Sequence, residues 1–151
     1  MFKYTLVPTG FFSPADAHKI LSEAVRLSEK DKVNYQELPH FKAVLVYALS
    51  EEGKAPVIAG LLDKVSSIAG EVKVAACFDA AALHLVIVSG EKLLAANSFP
   101  AADPVTAEYF IFAALKQFRI DPQAVTVSLA KPASREMMKD LILYCKGVKV
   151  L

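Results

Sequence analysis

The sequence predicts a mixed α/β fold, and three observations carry that reading. Short, nearly continuous apolar runs such as Lys42–Leu49 (KAVLVYAL) read as buried strands. Other segments place apolar residues at helical spacing and open on a cap followed by proline. After residue 71 the order is strand-strand-strand-helix-strand-helix-strand. A meander followed by alternating helix and strand implies a mixed sheet, antiparallel first and parallel afterwards.

Each element has its own signal. Phe2–Val7 alternates weakly and stops at Pro8-Thr9-Gly10, a strand and a turn. Ser13 can cap, Pro14 suits a first helical position and Asp16 favours the positive helix end, so a helix is expected near 14–28. Its apolar positions include Ile20, Leu21, Ala24, Val25 and Leu27. Val33–Leu38 and Lys42–Leu49 are strands, and Pro56–Ile68 is a helix with Gly70 as its stop. Val72–Phe78, Leu83–Val88 and Lys92–Phe99 are the three strands of the meander, with Ser89-Gly90-Glu91 as one turn. Asp103-Pro104 opens a helix ending near Arg119, and Ala124–Leu129 is a strand. Ser134 caps a last helix through Cys145, ended by Gly147, and Val148–Leu151 closes the chain as a strand.

This order after residue 71 is that of the ribonuclease-H-like fold, which actin-like ATPases carry twice. The expected organisation is a partial first half with a connecting helix over 1–70 and a second, complete half over 71–151.

Composition narrows the function. Hydrophobic residues are 54% of the 151, charged residues 22% and the net charge +1. The chain can build a sizeable core, and no global field draws it to nucleic acid or to an anionic membrane. No basic cluster interleaves with aromatics, so no nucleic-acid partner is expected. No apolar run is long enough for a membrane span, and the N-terminus does not read as a signal peptide. Cys77 and Cys145 read as buried, reduced thiols of a cytoplasmic protein. His18, His40 and His84 are scattered, so no metal site is expected.

Three segments resemble a known family: Tyr4–Pro8 (YTLVP), Phe41–Leu49 (FKAVLVYAL), and Leu85–Phe99 (LVIVSGEKLLAANSF) with Glu108-Tyr109-Phe110 beyond it. Their order and spacing resemble an uncharacterised bacterial family, domain of unknown function 3822. The resemblance covers about residues 2 to 150. It implies an actin-like fold, similar to pilus and secretion assembly proteins of that superfamily. It also implies a chain shorter than its relatives, lacking the first strands of the first copy and the first phosphate loop.

The chemistry is tested at CFDAAAL, residues 77–83. Nucleotide-binding actin-like proteins carry a turn resembling Asp-x-Gly followed by glycine, serine or threonine. There the backbone approaches phosphate and takes positive φ. Asp79 matches, but Ala80, Ala81 and Ala82 follow it. The outline of a phosphate turn is present without its glycine or hydroxyl. Asp79, with Asn97 and Ser98 at the end of the third strand, forms the candidate ligand-binding set of a degenerate cleft.

A nuclease would need clustered carboxylates. Asp79 and Glu108 are suggestive, but Lys131 stands where a third is wanted, and Asp140 is expected to face solvent. No Gly-x-Ser-x-Gly elbow is present, and His84 reads as a partly exposed strand residue. No catalytic residue and no cofactor is therefore expected. The function read from the sequence is a non-catalytic binding or scaffold protein, with a protein partner or a second copy of itself. The alternative is an ATP-binding protein that uses magnesium.

Overall fold

A computed structural model describes residues 2–79 and 81–151, so Ala80 of the candidate turn lies outside the described residues. The chain divides into two compact units, Met1–Asp63 and Lys64–Leu151.

The first unit contains β1 (Tyr4–Pro8), α1 (Ala17–Ala24), β2 (Val33–Leu38) and β3 (Ala43–Ala48), and α2 (Val57–Lys64) runs up to its end. The strand order is β1-β3-β2, and β3 pairs antiparallel with both neighbours. β3 is the apolar run AVLVYA, whose successive residues Val44–Ala48 are all buried, and a strand covered on both faces reads as a continuous apolar run. One of its faces, Val44, Val46 and Ala48, packs against Ala17 and Leu21 of α1.

The expected helix over 14–28 is shorter than its pattern. Pro14–Asp16 forms a 3-10 turn, with no hydrogen bond from the Ser13 side chain, and α1 ends at Ala24. Val25 is extended, with φ −139° and ψ 158°. Val25 and Leu27 still pack on the same core. Residues two apart share a face of extended chain, so their spacing satisfied both readings. The helix expected over 56–68 is likewise divided, α2 giving way to a 3-10 turn at Val65–Ser67. There Ser67 Oγ donates to the Lys64 carbonyl at 2.7 Å, a local bond that competes with the α-helical pattern.

The second unit contains β4 (Val72–Asp79), β5 (Ala82–Ser89), β6 (Lys92–Pro100), α3 (Pro104–Gln117), β7 (Thr126–Leu129), α4 (Arg135–Tyr144) and β8 (Gly147–Val150). Its sheet order is β6-β5-β4-β7-β8. The β4–β5 and β5–β6 pairs are antiparallel, and β4–β7 and β7–β8 are parallel. The mixed sheet is the one the element order implies. Both helix starts are capped as expected. Asp103 Oδ1 accepts from the Thr106 N–H at 2.8 Å, and Ser134 Oγ from the Met137 N–H at 3.2 Å. Gly147 begins β8 rather than stopping α4, which ends at Tyr144 with Cys145 as its cap.

Alternate residues of the strands form the core: Val74 and Ala76 of β4, Leu83, Leu85 and Ile87 of β5, Val127 and Leu129 of β7. Ile111 and Leu115 of α3 and Met137 and Leu141 of α4 pack on that face. The intervening residues Ala75, Cys77, Val86 and Ser128 point the other way and are buried too.

Between β5 and β6 the register slips by one residue at Ile87/Val88. Ser89 pairs with Lys92 and Val88 with Leu93, but Ile87 pairs with Ala95, leaving Leu94 as the bulged residue. From there on, the β6 residue opposite each β5 residue is one further along the chain than the turn alone would set. His84 therefore meets Ser98 rather than Asn97.

Candidate functional site

The candidate set is built on the sheet face turned away from α3 and α4. Cys77, His84 and Ser98 lie side by side on β4, β5 and β6, because the register pairs Cys77 with His84 and His84 with Ser98. Asp79, two residues beyond Cys77 on β4, projects to the same face. Asn97 pairs with Leu85, a residue of the helix-covered core, so it belongs to the opposite face. The structure thus brings Asp79 and Ser98 to one face and turns Asn97 to the other.

His84 is buried, at 8% exposure, not partly exposed as its polar character suggested. Its Nδ1 lies 2.7 Å from Ser98 Oγ. Burial lowers the imidazole pKa, and the nearby Asp79 raises it less. At neutral pH the pair is an uncharged imidazole against a hydroxyl, a cross-strand hydrogen bond that a buried polar group requires. The Cys77 thiol beside it is also buried, and burial raises its pKa, so it stays protonated. Cys145 is likewise a free, buried thiol.

Asp79 ends β4, and β7 runs parallel beside it. The ends of two adjacent parallel strands therefore open on the same side, the side where α/β sheets receive ligands. Lys131, just past β7, puts Nζ 3.0 Å from Asp79 Oδ1. The hydrogen bond to Asp79, and then its charge, raise the Lys131 pKa, so the ammonium is firmly charged. The pair is solvent-exposed and adds little to stability. Its consequence is electrostatic, because the carboxylate of the turn already has a cation against it.

At Ala81 the chain takes the left-handed conformation without glycine. Ala81 has φ +61°, and its carbonyl accepts from the Ala101 N–H at 2.9 Å. The crowding expected of these alanines did not keep the chain out of that region; the strand pairing on both sides holds it there. A Cβ in this conformation costs about 1 kcal/mol relative to glycine, partly offset by glycine's greater freedom when unfolded. Ala81→Gly should therefore raise stability by roughly 0.5 kcal/mol. Calorimetry on the two proteins checks this, and a lower melting temperature for the glycine variant would refute it.

The nuclease carboxylates do not assemble. Asp79 lies on one face of the sheet and Glu108 on a helix covering the other, and Asp140 is half-buried on α4 rather than fully in solvent. Among the described residues no group of three or more His, Cys, Asp or Glu side chains could hold a metal ion. Sequence reasoning did not pair Lys131 with Asp79, nor His84 with Ser98, and it passed over buried Ser128. The parallel β4–β7 pairing could have suggested the first. The second needed the bulge.

The sequence and fold place the chain among known proteins. A family model described as "Protein of unknown function (DUF3822)" matches residues 2–59 and 52–139. The comparison with curated proteins gave no match. Two solved structures are similar in fold. One is a protein of Bacteroides thetaiotaomicron with an actin-like ATPase fold and unknown function, with TM-score 0.76 and 18% identity over 100% of this chain and 65% of that one. The other is a PilM-PilN type IV pilus biogenesis complex, with TM-score 0.52 and 16% identity over 100% of this chain and 66% of that one. The chain thus spans less than two thirds of the length of each structure it matches. The mixed five-stranded sheet with its two crossover helices is an actin-like ATPase fold. No helix among the described residues is long and apolar enough to cross a membrane. With its motifs, sheet and family match in agreement, the chain belongs to the DUF3822 family of proteins of unknown function.

Proposed function

We propose that this chain is a non-catalytic binding or scaffold protein that uses an actin-like fold without its nucleotide chemistry. The observation that carries the reading is the ion pair of Lys131 Nζ with Asp79 Oδ1 at 3.0 Å. A carboxylate at the end of this strand would act on a nucleotide through a magnesium ion bound to the phosphates. Here the lysine ammonium occupies the carboxylate, and an alanine stands at the left-handed position of the turn. A divalent ion would have to displace the ammonium and then meet phosphate across a methyl group.

The binding partner is proposed to be a protein. Support comes from the fold neighbour that is itself a protein–protein complex, and from exposed apolar residues on α3 and α4, among them Tyr109 and Leu143.

Thermal-shift titration with magnesium ATP and with ADP tests the reading. A ligand that binds the folded state raises the melting temperature with concentration. No shift is expected up to millimolar nucleotide. A saturable rise that disappears in Asp79→Ala would instead establish nucleotide binding at Asp79, with Ser98 on the same face and Asn97 remaining to be tested by substitution.

A further inference from the structure

Glu108 sits one turn into α3 with only 8% of its surface exposed, and its Oε1 is sealed from solvent with no hydrogen-bond partner among the described residues. A charged carboxylate in that position is strongly disfavoured. One turn further along each helix, Phe112 of α3 meets Tyr144 of α4 at 5.8 Å, so Asp140, one turn before Tyr144, stands on α4 opposite Glu108, with Glu136 a turn earlier still. Two carboxyl groups can hydrogen-bond only if one keeps its proton, because a carboxylate offers acceptors alone.

Among the described residues no side chain donates to Glu108 Oε1, and Asn97, the polar residue of β6 on this face, is exposed. The core face beneath α3 presents Leu83, Leu85 and Ile87 of β5, and Met137 and Leu141 line α4. The cations of α4, Arg135 and Lys139, are exposed, and neither offsets the acidic neighbours of Glu108. The same residues do not gather into a metal-holding group. We propose that Glu108 keeps a proton that it offers to the Asp140 carboxylate across the α3–α4 seam, and that losing this proton loosens the helix pair.

Burial first, and then Asp140 and Glu136, push Glu108 from its ordinary 4.5 to about 7. The folded protein then binds this proton more tightly than the unfolded chain. Its stabilising effect is complete below the ordinary value of 4.5 and is lost as pH rises through about 7. His84 acts in the opposite sense. Its pKa is lowered from 6.5, so stability is lost as pH falls below that value. A comparison of variant with wild type at each pH separates the two.

The experiment is a series of melting temperatures from about pH 5 to 8.5 for the full chain and for Glu108→Gln. Glutamine is nearly isosteric and can donate to Asp140 as the protonated acid does. The difference, variant minus wild type, should be small at the acidic end and grow to roughly 5 °C by the alkaline end. A difference that does not change with pH overturns the proposal. Opening of the seam should also appear directly. Tyr144 of α4 lies edge-on to Phe112 of α3 at 5.8 Å, and with no tryptophan in the chain the tyrosine near-ultraviolet dichroism should weaken in wild type alone as pH rises.

If Glu108→Gln fails to fold, Asp140→Asn serves instead. Removing the like charge should lower the Glu108 titration midpoint measured by carboxyl carbon NMR, and an unmoved midpoint overturns the proposal. Magnesium or calcium added at the alkaline end should leave the melting temperature unchanged. A saturable rise that Glu108→Gln abolishes would make the seam a cation site and overturn the retained proton.

Discussion

Leu85→Ala is expected to lower the stability of the protein by about 3 kcal/mol. Leu85 is buried in the middle of β5, on the face covered by α3 and α4. Its cross-strand neighbours are Ala76 on one side and Asn97 on the other. Neither can fill the space a leucine leaves, since one is small and the other polar and exposed. The loss therefore combines the transfer of the buried methyl groups with a cavity that does not collapse. Urea unfolding should show the midpoint falling with little change in slope. Leu85→Met, which conserves volume, should cost less than about 1.5 kcal/mol. If the alanine variant lost no more than the methionine variant, the packing of this core would not be as described.

Leu21→Ala should have an effect of similar size, about 3 kcal/mol, in the other unit. Leu21 is fully buried and, with Ala17, forms the contact of α1 with Val44, Val46 and Ala48 of β3. A helix of eight residues does not hold itself together in water; it persists because its apolar face is docked. Removing the leucine takes away most of that docking, and the helix cannot compensate by its own propensity. Amide exchange should report the effect in α1 and β3 first. Unchanged protection in β3 would mean that α1 is not what shields that strand.

These two positions were within reach of sequence reasoning, because apolar periodicity identifies a core before any coordinates exist. The polar site was harder to read. Asn97 and Ser98 form one dipeptide at the end of a strand, and alternation says only that they face opposite ways. Which of them meets His84 depends on Leu94, the bulged residue, and a one-residue slip exchanges the faces. Leu94 itself gives no warning, since it continues an apolar run. Lys131 was visible as a lysine where a carboxylate was sought. Its pairing with Asp79 follows from a parallel register between strands that are separated by two other strands and a helix. Glu108 was weighed for metal-ion chemistry with Asp79, and Asp140 was expected to face solvent. Both lie on helices, α3 and α4, rather than on the sheet with Asp79.

By itself, the sequence determined the kind and order of the elements, the mixed sheet after residue 71, both helix caps of the second unit and the family. Those properties rest on periodicity, turn residues and caps, interactions between residues a few positions apart that act before the chain is folded. Tertiary structure alone decided where α1 ends, which of Asn97 and Ser98 faces His84, which cation meets Asp79, and that Glu108 lies buried on α3. Each of these depends on register or docking between segments distant in sequence. There, a shift of one residue changes the face, the neighbour and the charge that a side chain meets, while the local pattern stays the same.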